Sequence, residues 1–279
     1  MTTILDVLEK GTAFLTQKGI TEARLNMEHL VAHELGLIRM ELYLRFDQPL
    51  EESQLAALRE KLKKRGQHVP LQHLNGINHF GNYSFHTDSR ALIPRPETEE
   101  LVQLVKARSF PKPARILDLG CGSGVLGLTL AKDLGTSCEQ LTLADLSTEA
   151  LALCEQNARS LEVPAHLVES NLFSALSGPF DLIVANLPYI AESDRDQLEP
   201  EVLHDPEMAL FGGPDGLDFL RPFCAECSAF LSPGGLVALE VGYDQGETVL
   251  DLLKAAGLIE PTLESDLAGI PRFPLARKA

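Results

Sequence analysis

The spacing of apolar residues changes twice along the chain. From Ile4 to about Gly66 they recur at helical intervals, with no run that predicts a strand. Between Ile77 and Ile93 they alternate with polar residues and glycines, as the strands of a hairpin do. We therefore predict an all-helical domain at residues 1–70, a β-hairpin linker at 71–93 and a third domain at 94–279.

From Pro113 onwards, short apolar runs alternate with stretches of helical periodicity. The predicted strands are Arg115–Leu119, Leu141–Ala144, Ala165–Val168, Phe180–Ala185 and, after a turn at Ser232–Gly235, Leu236–Val241. The predicted helices are Leu126–Leu134 and Thr148–Leu161, with Ser147 as N-cap. Residues after Gly257 are predicted to add edge strands. Repeated strand-then-helix units predict an α/β fold, a mixed and mostly parallel sheet with helices on both faces.

Composition narrows the class of protein. The 279 residues include 24 Lys and Arg against 40 Asp and Glu, a formal net charge of −16, which argues against extended binding to a nucleic-acid backbone. No apolar run reaches the roughly 20 residues of a membrane span, and the first residues do not resemble a signal peptide. We expect a cytoplasmic protein. Of the five cysteines only Cys224 and Cys227 are close, which favours helix packing over a metal site, so no metal is expected.

A glycine-rich turn follows the first strand of the third domain, in the segment Asp118–Gly124. Gly122, Gly124 and Gly127 match a G-x-G-x-x-G string, which is typical of both dinucleotide and S-adenosylmethionine sites. Asp145 ends the next strand, where a carboxylate can accept the hydroxyls of a ribose. Asp118 would repel a pyrophosphate and attract the ammonium of a methionine moiety, so S-adenosylmethionine is preferred. A turn residue bonded to its own loop is the other interpretation of Asp118.

A second turn, Asn186-Leu187-Pro188-Tyr189, follows the predicted strand Phe180–Ala185. Asparagine supplies an amide, proline stiffens the turn and tyrosine offers a flat face with a polar tip. This set suits a planar amide or an aromatic amine, and it holds no nucleophile or strong base. An ordinary strand-ending turn explains Asn186 and Pro188 equally well.

Five segments together resemble one enzyme family. They are Pro94–Glu99, Asp118–Gly124, Asn186–Tyr189, Ala209–Asp218 and Leu239–Tyr243. With these motifs the chain resembles the class I, Rossmann-like methyltransferases, and among them the N5-glutamine methyltransferases of peptide chain release factors. The resemblance spans nearly the whole chain. It implies methyl transfer from S-adenosylmethionine to the side-chain amide of the glutamine in the Gly-Gly-Gln loop of a release factor, with the helical domain helping to grip that protein.

The resemblance also implies roles for single residues. The catalytic turn is Asn186, Leu187, Pro188 and Tyr189, in which the Asn186 side-chain oxygen and the Leu187 backbone carbonyl accept the two amide hydrogens. The same four residues, with Arg95 and Glu97, are expected to bind the substrate. The residues expected to bind the cofactor are Asp118, Gly120, Cys121, Gly122, Ser123, Gly124, Asp145, Asn171, Leu172 and Asn186.

Two positions depart from the family pattern. Leu187 stands where the family usually has proline, but because it precedes Pro188 its backbone is already restricted and can present its carbonyl. Asn171 stands in a segment where the family tends to have aspartate, and its carbonyl oxygen can accept the adenine amino hydrogen without charge.

Three alternatives stay open. The chain could methylate an amino group of adenine or guanine in a nucleic acid, bind S-adenosylmethionine without turnover, or act as a dinucleotide oxidoreductase.

Residues Ile190–Met208, expected to form a loop over the substrate, hold seven acids against Arg195. That charge favours a protein substrate over a nucleic acid. We expect a monomer that binds release factors, with no direct nucleic-acid binding and no membrane association.

Overall fold

A computed structural model describes residues 1–279, which form two compact units. The first unit is Met1–Ile77 with Glu199–His204, and the second is Asn78–Leu198 with Asp205–Ala279. None of the helices is both long enough and apolar enough to span a bilayer. The domain boundaries given above stay a prediction.

The first unit is helical, as its periodicity predicts. Its helices are α1 (Ile4–Gln17), α2 (Ala23–Leu35), α3 (Arg39–Leu42), α4 (Glu52–Arg65) and α5 (Leu71–Asn75). Thr3 caps α1 and forms a reciprocal capping box with Asp6, which satisfies backbone donors of the first turn. At Gly11 a β-carbon would lie 2.3 Å from the Met27 sulfur, so the glycine lets α1 and α2 approach closely.

A short acidic segment of the chain also belongs to this unit. Glu201 forms an ion pair with Arg65, whose side chain is buried and also donates to Asn26 Oδ1 at 2.7 Å. His204 lies within hydrogen-bond distance of the Gln67 carbonyl, at 3.3 Å. The predicted single loop Ile190–Met208 is therefore divided between the two units.

A hairpin of β1 (Ile77–Phe80) and β2 (Tyr83–His86) lies at the start of the second unit, except that Ile77, its first residue, belongs to the first unit. The alternation that continues to Ile93 in the sequence is not strand in the structure. Ala91 and Ile93 are buried, although they lie in turns and irregular backbone. Burial there comes from packing, so the alternation overestimates the length of the hairpin.

A sheet of seven strands forms the centre of the second unit. Its strands are β3 (Ala114–Leu119), β4 (Cys138–Asp145), β5 (His166–Glu169), β6 (Phe180–Asn186), β7 (Leu231–Glu240), β8 (Ile259–Ser265) and β9 (Pro271–Arg277). Their order is β5-β4-β3-β6-β7-β9-β8. The pairs from β5 to β7 are parallel and those of β9 are antiparallel.

Helices cover both faces of this sheet, which confirms the predicted α/β class. They are α6 (Pro96–Lys106), α7 (Val125–Leu134), α8 (Thr148–Ser160), α9 (Glu207–Leu210), α10 (Leu220–Phe230) and α11 (Gly246–Ala255). Alternate residues of β6 enter different cores: Leu182 packs with Leu101 and Leu128, and Ile183 packs with Phe223 and Val249. Ser147 caps α8 through its side chain, as predicted, and Cys224 and Cys227 are free thiols buried on α10.

The predictions about the end of the sheet are confirmed only in part. Strand β8 lies at the edge of the sheet, as predicted for residues after Gly257, but β9 does not, because it inserts between β7 and β8 and pairs Ala276 with Val237. The Ser232–Gly235 segment is part of β7, where the register with β6 shifts, instead of a turn before it. The strand order reverses between β3 and β6, and the carboxyl ends of these two strands form the crevice in which ligands of such sheets bind.

Candidate functional site

One pocket lies at this crevice, and most of the predicted site residues line it. From the predicted set it contains Asp118, Gly120, Cys121, Gly122, Ser123, Asp145, Asn171, Leu172, Asn186, Leu187 and Pro188. Four other predicted residues, Gly124, Tyr189, Arg95 and Glu97, are not in its lining. The two turns predicted separately from the sequence therefore meet at a single cavity.

The glycine-rich turn joins β3 to α7 and is held by β4. The backbone N–H groups of Gly120 and Cys121 both donate to the Ala144 carbonyl, at 2.8 and 3.0 Å. Gly124, the N-cap of α7, has φ +83°, and a β-carbon there would lie 2.6 Å from the Cys154 sulfur. Only glycine meets both requirements, a left-handed backbone and a close approach of α8. Gly124 thus shapes the pocket without lining it.

Asp118 places a buried carboxylate in the pocket wall. It is 1% exposed, and its Oδ2 accepts one hydrogen bond, from the Gly127 backbone N–H at 2.8 Å. Burial, with a smaller contribution from the nearby Asp145 charge, raises the pKa of Asp118 to about 7. A carboxylate can accept several hydrogen bonds, so this one has capacity for a cationic donor. Asp118 is thus also bonded to its own loop, and the two interpretations of this residue are compatible.

Asp145 lies across the same pocket at the end of β4. Its Oδ2 accepts from the Gly122 N–H at 2.9 Å and its Oδ1 from the Ser147 N–H at 2.8 Å. Burial raises its pKa above the usual range. These bonds fix the carboxylate in place, and each oxygen keeps a lone pair for a further donor such as a sugar hydroxyl. The carboxylates of Asp118 and Asp145 together fit a ligand that has both an ammonium and a ribose.

Apolar surface completes this part of the pocket. The apolar lining includes residues from loops and helix ends of the second unit: Ala91, Leu92, Leu146, Ala150, Leu172, Pro206, Met208, Ala209 and Phe219. Asn171 adds an amide beside them. A flat heterocycle with an amino group, such as adenine, is compatible with this combination.

Asn186 ends β6 and faces the glycine turn across the crevice. Its Nδ2 donates to the Thr98 Oγ1 at 3.3 Å, and that hydroxyl donates to the Glu240 Oε2 at 2.7 Å. Thr98 and Glu240 are 2% and 1% exposed. No residue of the chain donates to the Asn186 Oδ1, so this oxygen is available to a ligand in the pocket.

The side chain and the backbone of Leu187 have different roles. The side chain is buried in the core below the pocket, and its Cδ2 would lie 2.7 Å from a β-carbon at Gly120. Its backbone carbonyl accepts no hydrogen bond within the chain. The site therefore presents two acceptors without partners from consecutive residues, the Asn186 Oδ1 and the Leu187 carbonyl.

Tyr189, Arg95 and Glu97 lie together beside the pocket. Burial raises the pKa of Tyr189, with the charges of Glu240, Arg272, Arg95 and Glu97 as further influences. The Tyr189 carbonyl accepts from Gln245 Nε2 at 2.9 Å, which ties the turn to the loop after β7. Arg95 pairs with Asp205 at 3.0 Å, and burial raises the pKa of Asp205 to about 6. The substrate-binding roles of these residues stay predictions.

Sequence reasoning did not assign several residues that build the site. Thr98 and Glu240 both lie within motifs that carried the resemblance, so position alone could have flagged them. Pro206 and Met208 line the pocket from within the predicted loop Ile190–Met208. No local pattern could have identified Ala91 or Phe219, because they reach the pocket only through tertiary packing.

Comparison with known proteins gives matches over both units. Residues 6–76 match the family described as PrmC N-terminal domain, and residues 96–213 match the family described as Methyltransferase small domain. A release factor glutamine methyltransferase from Deinococcus radiodurans is 40% identical over 276 residues, covering 98% of this chain and 98% of that protein. Another from Geobacter sulfurreducens is 39% identical over 272 residues, covering 97% and 95%.

A solved structure also resembles the chain. A methyltransferase from Pyrococcus furiosus superposes with a TM-score of 0.53 and 16% identity, over 82% of this chain and 100% of that one. At this identity the likeness concerns the fold alone.

Proposed function

Because the chain belongs to the family of release factor glutamine methyltransferases, we propose that it methylates the glutamine side chain of peptide chain release factors. The methyl donor is S-adenosylmethionine, and the acceptor is the amide nitrogen of the glutamine in the Gly-Gly-Gln loop. One observation carries the proposal: two acceptors without partners, the Asn186 Oδ1 and the Leu187 carbonyl, lie opposite a buried carboxylate, Asp118, in a single pocket.

The pocket has residues suited to bind each part of the cofactor. Asp118 holds the ammonium of the methionine moiety, and Asp145 accepts the ribose hydroxyls. The backbone of Gly120–Gly124 lines the space between them. Leu146 and Leu172 pack against adenine, and the Asn171 carbonyl oxygen accepts its amino hydrogen. When bound, S-adenosylmethionine supplies a methyl group on a positively charged sulfur.

Positioning of the acceptor is the main contribution of the turn Asn186–Tyr189. A side-chain amide is a poor nucleophile, because its nitrogen lone pair is delocalised into the carbonyl. The Asn186 Oδ1 and the Leu187 carbonyl each accept one amide hydrogen, which aims the nitrogen lone pair at the methyl group. Orientation of this kind can lower a barrier by up to roughly 7–11 kcal/mol. Tyr189 packs on the amide plane, and the proton leaves to water after transfer.

Two departures from the family pattern are consistent with this assignment. Leu187 acts through its backbone carbonyl, an atom that proline also has, and its side chain serves packing. Asn171 lines the pocket as an uncharged acceptor.

We propose a protein substrate over a nucleic acid because the net charge is −16 and the segment Ile190–Met208 is acidic. In the same proposal the protein acts as a cytoplasmic monomer that binds release factors without contacting nucleic acid or membrane. A methyl group appearing on RNA or DNA would favour the alternative, a nucleic-acid base methyltransferase.

The test is a transfer assay with methyl-labelled S-adenosylmethionine and purified release factors, followed by mass spectrometry of the modified peptide. We expect one methyl group on the glutamine of the Gly-Gly-Gln loop. A release factor with that glutamine replaced by asparagine is the matched control and should stay unlabelled. Cofactor binding without transfer to any release factor would refute the proposal and favour a binding module.

A further inference from the structure

A buried acid lies directly behind Asn186. Glu240 is the last residue of β7, pairs in register with Asn186 on β6, and is 1% exposed. It forms no direct ion pair: the charge of Arg272 acts on it, but the Arg272 guanidinium is paired with Asp266 at 2.7 Å. A buried carboxylate without a directly paired cation costs folding free energy. Stability alone therefore does not account for an acid at this position.

Thr98 connects this acid to the site. The hydroxyl of Thr98 carries one hydrogen, which it donates to Glu240 at 2.7 Å. Burial raises the pKa of Glu240 to about 7, and above that pH the charged carboxylate can only accept, so it engages this hydrogen. Only oxygen lone pairs remain for Asn186. The Thr98 hydroxyl can therefore bind the NH2 end of the Asn186 amide, at 3.3 Å, but not its oxygen. The Asn186 amide also hydrogen-bonds to the Glu240 carboxylate, and this bond lowers the pKa of Glu240, so the charged acid likewise favours the NH2 end.

The direction of the Asn186 amide matters for an amide substrate. Its two ends have nearly the same shape, so packing distinguishes them poorly and hydrogen bonds must do so. Reversed, the side chain would point its NH2 group at the NH2 group of the substrate glutamine, and neither could accept. In the direction that Thr98 enforces, the oxygen faces the pocket as an acceptor.

We infer that Thr98 and Glu240 are positioning residues, which together fix the side-chain amide of Asn186 with its oxygen toward the substrate nitrogen. The inference rests on the proposed function for the identity of that substrate. The direction of the Asn186 amide in the free protein does not depend on it.

Variants of this pair separate positioning from structural support. Thr98→Val removes the hydroxyl at nearly constant volume and should lower kcat roughly 10²-fold, the loss typical of one preorganised hydrogen-bonding group. KM for the release factor and Kd for S-adenosylmethionine should stay within about threefold, because ground-state binding is unaffected. Thr98→Ser retains the hydroxyl and should keep kcat within about threefold.

Glu240→Gln tests whether the charged acid, by engaging the Thr98 hydrogen, fixes the direction of the Asn186 amide. Its amide can donate to Thr98, which frees the Thr98 hydrogen for the Asn186 oxygen and permits the reversed amide, so kcat should fall at least tenfold. Thr129→Val is the matched control: Thr129 is 3% exposed, its hydroxyl has no partner, and it lies on α7 outside the pocket lining. Its kcat should be unchanged.

Two outcomes would overturn the inference while leaving the proposed function intact. One is a Thr98→Val enzyme with kcat within threefold of the parent. The other is a loss of kcat in Thr98→Val that Thr129→Val shares, which would trace the effect to folding stability. Both outcomes can be observed only if the unmodified protein methylates release factor. They can therefore be distinguished from failure of the proposed function, in which the unmodified protein shows no transfer.

A second measurement applies even if no transfer is found. The side-chain NH2 signal of Asn186, assigned by NMR through its loss in Asn186→Ala, should show slow hydrogen exchange in the parent protein. Exchange should be at least tenfold faster in Thr98→Val and close to the parent in Thr98→Ser. Equal exchange in the parent and Thr98→Val would overturn the inference.

Discussion

The buried Asp118 carboxylate should make cofactor affinity depend on pH near neutrality. Burial raises the pKa of Asp118 to about 7, so the group gains a proton as the pH falls through 7. The protonated acid carries no charge for the methionine ammonium. Affinity for S-adenosylmethionine is therefore present above this pKa and lost below it, and cofactor binding releases a proton from the fraction of molecules that are protonated.

The size of the effect follows from that pKa. If only the charged form binds, the apparent association constant is divided by one plus the ratio of protonated to charged Asp118, which is about 2 at pH 7 and about 11 at pH 6. The affinity for S-adenosylmethionine should fall roughly fivefold from pH 7 to pH 6, and about tenfold for each further pH unit below 6. The pKa of Asp145 is also raised by burial, so its protonation acts in the same direction.

Titration calorimetry at pH 6 and pH 7, in buffers with different ionisation enthalpies, measures both the affinity and the released protons. The matched control is Asp118→Asn, whose side-chain oxygen can still accept from the Gly127 N–H. It should bind more weakly at both pH values, with most of the fivefold difference gone. The pKa of Glu240 is also about 7, so this acid could cause the same pH dependence. Glu240→Gln should keep the pH dependence of the parent, which would exclude Glu240 as its cause. An affinity of the parent that changes less than twofold, or an equal slope in Asp118→Asn, would refute the reasoning.

Three further predictions concern single residues. Asn186→Ala should leave the Kd for S-adenosylmethionine within about threefold and lower turnover at least 10²-fold; retention of most turnover would contradict the proposed role. Leu187→Ala should lower the free energy of unfolding by about 2–4 kcal/mol in a denaturant titration yet keep turnover within about tenfold, since the carbonyl remains. Gly124→Ala should lower the unfolding free energy by about 1–3 kcal/mol, and a second change, Cys154→Ala, should recover part of that loss by removing the 2.6 Å contact.

The central strands could be predicted from the sequence because their signal is local. Strand β6 was expected at Phe180–Ala185 and spans Phe180–Asn186, and β3 differs from its prediction by one residue. Both are buried on two faces, so they appear as short continuous apolar runs. Their order then places the ends of β3 and β6 at one crevice, which is why the two predicted turns meet there.

The end of the sheet could not be predicted in the same way. Strand β9 pairs with β7 in an antiparallel register that joins residues about 40 positions apart, such as Val237 and Ala276. No local pattern states which earlier strand a late strand will join. The acidic segment gives a second example, since Glu201 belongs with Arg65, which lies 136 residues earlier. Its charge was visible in the sequence, but the buried arginine that binds it was not.

The same distinction between local and tertiary signals applies inside the site. Asn186 was identified because strand ends are where ligands bind, and Asp118 because of its place in a glycine turn. Thr98 and Glu240 lie 142 residues apart and touch each other through a single hydrogen bond of 2.7 Å. In the sequence, Thr98 lies in the Pro94–Glu99 motif and Glu240 in the predicted strand Leu236–Val241, and neither position points to the other. Only their contact shows that the threonine hydrogen is engaged by an acid, and this decides which end of the Asn186 amide is left for the substrate.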